Sequence, residues 1–261
     1  MFLQNATWRV KIHKGLMTAV ALLTTVITIP DGSAAEWDRA KVEKAVSETT
    51  KDTPLNLETQ KLSGLNLSGI RFGAAKMQGV WLDEANLSNA DLSGATLDVA
   101  IAPDVNLSGA TLRGASLFSV IMTRANLEKS DLSNARIGGD FNEANLKFAN
   151  LSHADGSVDM QNQSMGLMNV RFDQANLSNA NLSSANLTHS SLRFAELRGA
   201  NLRGVNLTLA DLAGADFTGA DLTDANLAHA TVTDAVFKSI KGRDTIKGLN
   251  TAVDVDMAIF D

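Results

Sequence analysis

The chain has 261 residues, with 29 acidic and 23 basic side chains and a formal net charge of −6, a balance that argues against a nucleic-acid binder. Hydrophobic residues make up 44% but aromatics only 5%, with no Tyr, so a core must be filled by aliphatic and small side chains. The absence of Cys excludes disulfides, thiolate metal centres, iron–sulfur clusters and cysteine nucleophiles.

At the N-terminus, Arg9, Lys11 and Lys14 precede an uncharged stretch at 15–29, which runs into Pro30-Asp31-Gly32 and Ser33-Ala34-Ala35. This order of basic, apolar and small residues reads as a secretory signal at 1–35, cleaved after Ala35. The apolar run is shorter than the roughly 20 residues that span a bilayer as a helix. An uncleaved tether or a buried helix is the competing reading. Loss of the leader removes three basic and one acidic side chain, leaving 20 basic and 28 acidic and a charge of −8. The mature chain is expected to be exported, to a periplasm, the extracellular space or a thylakoid lumen, with no stable membrane span.

Residues 36–54 read as an N-terminal helical cap and linker, with Trp37, Ala40, Ala45 and Val46 placed to lie on a core. A period of five then begins. All 17 positions from Leu57 to Ile137 in steps of five are apolar, twelve of them Leu, and so are all 14 from Phe172 to Phe237. In eleven of those 14 units Ala stands two residues earlier. A helical stripe recurs at about 3.6 and a strand at 2, so an inward residue at every fifth position needs a chain that turns a corner every five residues.

The unit Ala-Asn/Asp-Leu-Ser/Thr-x occurs as Ala85-Asn86-Leu87-Ser88-Asn89, Ala175-Asn176-Leu177-Ser178-Asn179 and Ala220-Asp221-Leu222-Thr223-Asp224. On these units, residues 55–239 resemble the pentapeptide-repeat family. The resemblance implies an all-β, right-handed parallel quadrilateral β-helix, four units per coil and about nine coils, with the Leu and the preceding Ala inward. Stacking at about 4.8 Å would make a rod about 43 Å tall. The repeat is irregular at 138–170. One residue is lost at Gly138-Gly139-Asp140, and the pattern is broken again around Asp155-Gly156-Ser157 and three Met residues. Because 137 to 172 is 35, the second half is expected to resume the face assignment of the first. The segment is a bulge within one rod or a functional loop. Residues 240–261 abandon the period and are read as a C-terminal cap or tail whose apolar residues close the far end, with an end-to-end homodimer as an option.

In such a coil, residues 20 apart are vertical neighbours. The expected hydrogen-bonded ladder runs through Asn66, Asn86, Asn106, Asn126, Asn145, Asn186, Asn206 and Asn226. Asp91, Asp131 and Asp211 should share a face broken by uncharged and basic residues. Asp211, Asp216 and Asp221, like Arg193, Arg198 and Arg203, should wrap around the rod. His189 and His229 are two coils apart, roughly 9.6 Å, too far to ligate one metal, and His153 stands alone. No Ser-His-carboxylate set, phosphate loop or paired carboxylates emerge, so no catalytic residue, metal or cofactor is expected. Trp81, Ile101 and Ile121 occupy outward positions on one face of three successive coils, with Val99 and Phe118 at the adjoining edge. They predict an exposed apolar patch for an unidentified protein partner, unless the N-terminal segment or the tail packs there. The leading expectation is an exported, non-enzymatic scaffold or protein-interaction rod. The resemblance adds a DNA-mimicking inhibitor of a DNA topoisomerase as the alternative, and a polysaccharide-acting enzyme is the least supported reading.

Overall fold

The computed structural model describes residues 37–50, 53–157 and 169–261. The leader, the cleavage point after Ala35 and the three Met residues at 160, 165 and 168 lie outside the described residues.

The pentad is explained by where its five backbone N–H groups go. In the unit Ala85–Asn89, Asn86 donates to the Leu65 carbonyl one coil below at 2.9 Å, while Leu87 and Asn89 donate to Asn106 and Ser108 one coil above at 2.7 and 2.9 Å. Ala85 donates back to Leu82 at 3.0 Å and closes the corner. The remaining amide, that of Ser88, reaches no carbonyl and donates to the Asn86 side-chain oxygen at 3.0 Å. Asn or Asp before the central Leu thus satisfies a donor that would otherwise go unpaired. The central Leu and the Ala two residues earlier are buried almost without exception, because the narrow interior admits one long and one small side chain per side.

Repetition of this unit builds four columns of parallel bridges. The second column carries Lys61, Trp81, Ile101, Ile121, Asp140, Arg171, Ser191, Asp211, Thr231 and Val253. The third carries Asn66, Asn86, Asn106, Asn126, Asn145, Asn176, Glu196, Asp216, Val236 and Ile259. Short continuous strands form only where a coil pairs with an irregular one: β1 (Ser116–Ile121), β2 (Arg136–Asp140) and β3 (Val170–Arg171) form one parallel sheet, and β4 (Val236–Phe237) pairs with β5 (Ile259–Phe260).

The face assignment differs from the sequence expectation in the upper half. Vertical steps are 20 up to Ile121, then 19 from Ile121 to Asp140 and from Asn126 to Asn145, then 31 from Asp140 to Arg171 and from Asn145 to Asn176. The loss of 1 and the gain of 11 restore the phase of five but displace everything downstream by 10 residues, which is two faces. Asn145 therefore stacks below Asn176, whereas Asn186, Asn206 and Asn226 stand on the first face above Asp155. Asp91 and Asp131 share the fourth face, and Asp211 belongs to the second. The irregularity is also narrower than 138–170, since Phe141 to Ala154 keep regular buried pentad positions. At the short corner β2 passes against β1 so closely that a Cβ on Gly139, at φ +108°, would lie 2.2 Å from the Val120 carbonyl oxygen. Only glycine fits there.

The two ends close differently. Helix α1 (Arg39–Ser47) starts at Asp38, whose carboxylate accepts the Lys41 amide at 2.8 Å, and buries Val42 completely. Trp37, Ala45 and Val46 pack against the same core. Ala40 is exposed, contrary to expectation, because it is two residues from Val42 and so points to the opposite side of the helix. Arg39 donates to the carbonyls of Asn66 and Ser68, each at 3.1 Å. Their equivalents one coil higher, Asn86 and Ser88, accept the amides of Leu67 and Gly69, so the guanidinium stands in for the missing coil.

At the other end the tail keeps coiling with sides of six instead of five. Lys247, Val253 and Ile259 bridge Asn226, Thr231 and Val236. Gly242 and Gly248 take the place of the central Leu, and a Cβ there would lie within 2.6 Å of Thr223 or Ala228. Phe217, Phe237 and Phe260 stack at 4.8 and 5.1 Å to fill the last turns. Side-chain oxygens of Thr245, Thr251 and Asp261 in this widened last coil accept the amides of Asp224, His229 and Ser239.

Candidate functional site

Since the interior is filled and the backbone groups are spent on stacking, the outward side chains are what the coil has to offer. Most are polar and engaged with one another. On the third face the amides of Asn86, Asn106, Asn126 and Asn145 each donate to the Asn below at 3.2–3.3 Å. A second ladder, Asp131–Asn150–Asn181–Asn201 on the fourth face with bonds of 2.9–3.1 Å, was missed by sequence reasoning because its rungs are 19 and 31 residues apart.

Carboxylates are likewise paired between coils. Arg113, Arg193, Arg198 and Arg203 reach Asp131, Asp211, Asp216 and Asp221 at 2.7–3.4 Å, each spanning 18 residues. Arg124 pairs with Asp104 at 2.6 Å, and Arg171 pairs with Asp140. A search for Arg 18 residues before Asp would have found four of these pairs. Burial works against ionisation of Asp131 and Asp216, but the hydroxyl and amide of Ser133 or Thr218 and the neighbouring guanidinium outweigh it and hold both carboxyls below the usual range. The Thr223 hydroxyl does the same for Asp221. Among the described residues only Glu196 and Asp216 stack as acids on successive bridge rungs, and the other acids of the columns are separated by uncharged or basic residues, so they form no continuous negative row.

Among the described residues, no group of His, Asp and Glu is arranged to hold a metal ion, and no helix is long and apolar enough to cross a membrane. His189 and His229 share a corner with Leu209 between them, two coils apart as expected.

The second face departs from this polar pattern. Trp81, Ile101 and Ile121 stack directly above one another, with Trp81 42% and Ile121 44% exposed and Ile101 half-buried. At the corner shared with the first face, Val99 is 49% exposed, and its amide donates to the Phe118 carbonyl at 2.8 Å. Phe118 is half-buried under the Arg136 guanidinium, 4.3 Å from the ring centroid. The geometry thus brings the five expected residues together in one strip. Other large exposed apolar residues are scattered, Phe148, Phe194 and Leu209 at three different corners, or belong to the last coil, as do Val253, Met257 and Ile259.

The strip forgoes a stabilising element. Trp81 and Ile121 have no oxygen with which to cap the amides of Asp83 and Thr123, the role of Asn86 toward Ser88, and behind Ile101 stands Pro103, which has no amide to cap. Nowhere else among the described residues do three successive rungs carry large apolar side chains in this position.

A sequence profile described as Pentapeptide repeats matches in eight copies, over residues 66–101, 104–134, 121–155, 167–204 and 200–238. No curated protein matches the chain. Among solved structures, the chain is similar to HetL, a pentapeptide repeat protein involved in heterocyst differentiation regulation from the cyanobacterium Nostoc sp. strain PCC 7120, at 27% identity over 86% of this chain and 95% of that one, with a TM-score of 0.41. It is also similar to full-length QnrB1, a plasmid-mediated fluoroquinolone resistance protein, at 19% identity over 79% of this chain and 92% of that one, TM-score 0.38. A third is a pentapeptide repeat protein from the Arabidopsis thaliana thylakoid lumen, at 24% identity over 58% of this chain and 68% of that one, TM-score 0.17. With the pentad geometry and the profile matches in agreement over most of its length, the chain belongs to the pentapeptide-repeat family.

Proposed function

We propose that this protein is an exported, non-enzymatic pentapeptide-repeat rod, a right-handed quadrilateral β-helix of about nine coils, that acts as a scaffold or protein-interaction module through the strip at Trp81, Val99, Ile101, Phe118 and Ile121. The observation that carries the reading is the strip itself: three consecutive rungs of one face give up polar ladder residues for exposed apolar ones. Exposed apolar clusters of this kind mark association surfaces. The leader composition supports export. The paired carboxylates weaken the alternative of a DNA mimic, which needs an unbroken negative surface.

Two experiments test the reading. Expression with the native leader, fractionation and mass spectrometry should find a mature N-terminus at Glu36 outside the cytoplasm, and full-length cytoplasmic protein would refute export. A photo-crosslinking residue at position 101 should capture one defined partner in cells, a control at Thr111 on the fourth face should not, and W81S/I121S should abolish the capture. Equal crosslinking from both faces would refute the strip as the interaction site.

A further inference from the structure

Resting on the reading of the strip as an interaction surface, the geometry points to its occupant, and we propose a short amphipathic α-helix of the partner with basic residues flanking its apolar stripe, lying along the rod axis. The coil cannot bind by strand addition along this face, because apart from the isolated Asp83 and Thr123 amides the backbone groups beside the strip are already paired between coils, as with Ile101 N–H donating to the Val80 carbonyl and Leu82 N–H to the Ile101 carbonyl at 2.9 and 2.7 Å. Recognition must therefore run through side chains.

Spacing selects the helix. Successive rungs are about 4.8 Å apart, so Trp81 and Ile121 are roughly 9.6 Å apart. A helix laid along the column brings an apolar residue round about every 5.4 Å, a mismatch of about 1 Å over two rungs that side-chain rotamers absorb. An extended strand repeats one face every 6.6–6.8 Å or so and is out of step by about 4 Å over the same distance. Three helical turns cover the strip.

Charge selects the flanks. Glu58, Asp83 and Glu84 border the strip at its two corners and make no ion pair with a described basic side chain, Asp83 being held by the Ser63 hydroxyl and Asp98 by the Ser116 hydroxyl and the Phe118 amide. The basic side chains Lys61, below Trp81, and Arg136, over Phe118, stand at the two ends of the strip and not along its flanks. Asp104 beside them is the one neutralised, by Arg124. A partner with Lys or Arg on either side of its apolar stripe meets carboxylates on both.

The test uses the purified chain and three fluorescently labelled 14-residue peptides followed by anisotropy. The first has Leu at helical spacing flanked by Lys, the second keeps the Leu stripe but has Glu for Lys, and the third has the composition of the first in strict alternation. The Lys-flanked helix should bind, with affinity falling as salt rises. W81S/I101S/I121S should weaken it about tenfold or more, and D83N/E84Q should weaken it about threefold and flatten the salt dependence. Equal binding of the Glu-flanked or alternating peptide, or an unchanged affinity in W81S/I101S/I121S, overturns the proposal, as does self-association of the chain through the strip or binding of neutral phosphatidylcholine vesicles in place of the peptide. If position 101 crosslinks a partner in cells through a segment that is neither helical nor basic, the interaction surface stands and the helix proposal alone fails.

Discussion

The lower and upper parts of the second face share one backbone and differ in what they display. From Trp81 to Ile121 the outward residues are apolar and uncapped, whereas Arg171, Ser191 and Asp211 above the irregular corner are polar, with Arg171 and Asp211 in ion pairs. Both parts bury their inward residues, Val80, Leu82, Ala100, Ala102, Val120 and Met122 below and Val170, Phe172, Leu192, Ala210 and Leu212 above. The coil is therefore indifferent to its outward residues within broad limits, and a surface that abandons the ladder does so for a reason other than folding.

The irregular corner between the two parts is where the comparison breaks most easily. Gly139→Ala places a Cβ against the Val120 backbone and should cost about 3 kcal/mol or more. Gly94→Ala, whose Cβ would meet Ala74 at an ordinary 3.6 Å, should cost about 1 kcal/mol. Equilibrium urea unfolding distinguishes them, and equal losses would mean that the corner is not tightly packed. Ile121→Asn restores the missing cap on the Thr123 amide and should stabilise the chain by about 0.5–1 kcal/mol while weakening partner binding, a trade that the same unfolding measurement and the peptide titration read separately.

Building a strip where there is none sharpens the contrast. S191I/D211I/T231I should fold with stability changed by less than about 1 kcal/mol, yet bind the Lys-flanked peptide more weakly, because Asp173 and Asp234 border it on one side only and the first-face corner carries His189, Leu209 and His229. Strong binding to the new strip would show that apolar surface alone suffices. Acid is the gentlest perturbation and touches the polar faces. Asp131, Asp216 and Asp221 ionise below their ordinary value of 3.8 in the folded chain, so the stability they contribute is present above about pH 4 and is lost as pH falls through the lower folded values. Thermal midpoints should be flat from about pH 7 to 5 and decline below about 4, and a decline that begins near pH 6 would show that these carboxylates do not set the acid limit.

Legibility in the sequence followed the range of the interaction. The inward Leu, the small residue before it and the need for Asn or Asp are set within one pentad by local hydrogen bonds, so the repeat and the strip at 81, 101 and 121 were readable where steps of 20 hold. The ladder through Asn150 and Asn181, and the face on which Asn186 stands, were not. A count in fives is blind to a displacement of 10, since 10 is two whole units. At the tail, Ile240, Ile246, Ala252 and Ala258 repeat at six, which reads as loss of the period although the coil continues. The sequence by itself determined that the chain coils, what fills the coil and where the apolar strip stands. Only the tertiary structure decided which residues are vertical neighbours beyond the irregular corner and how the ends are closed. Those contacts depend on how many residues the chain spends between one coil and the next, a quantity fixed by how the coils stack and not by any unit's own composition.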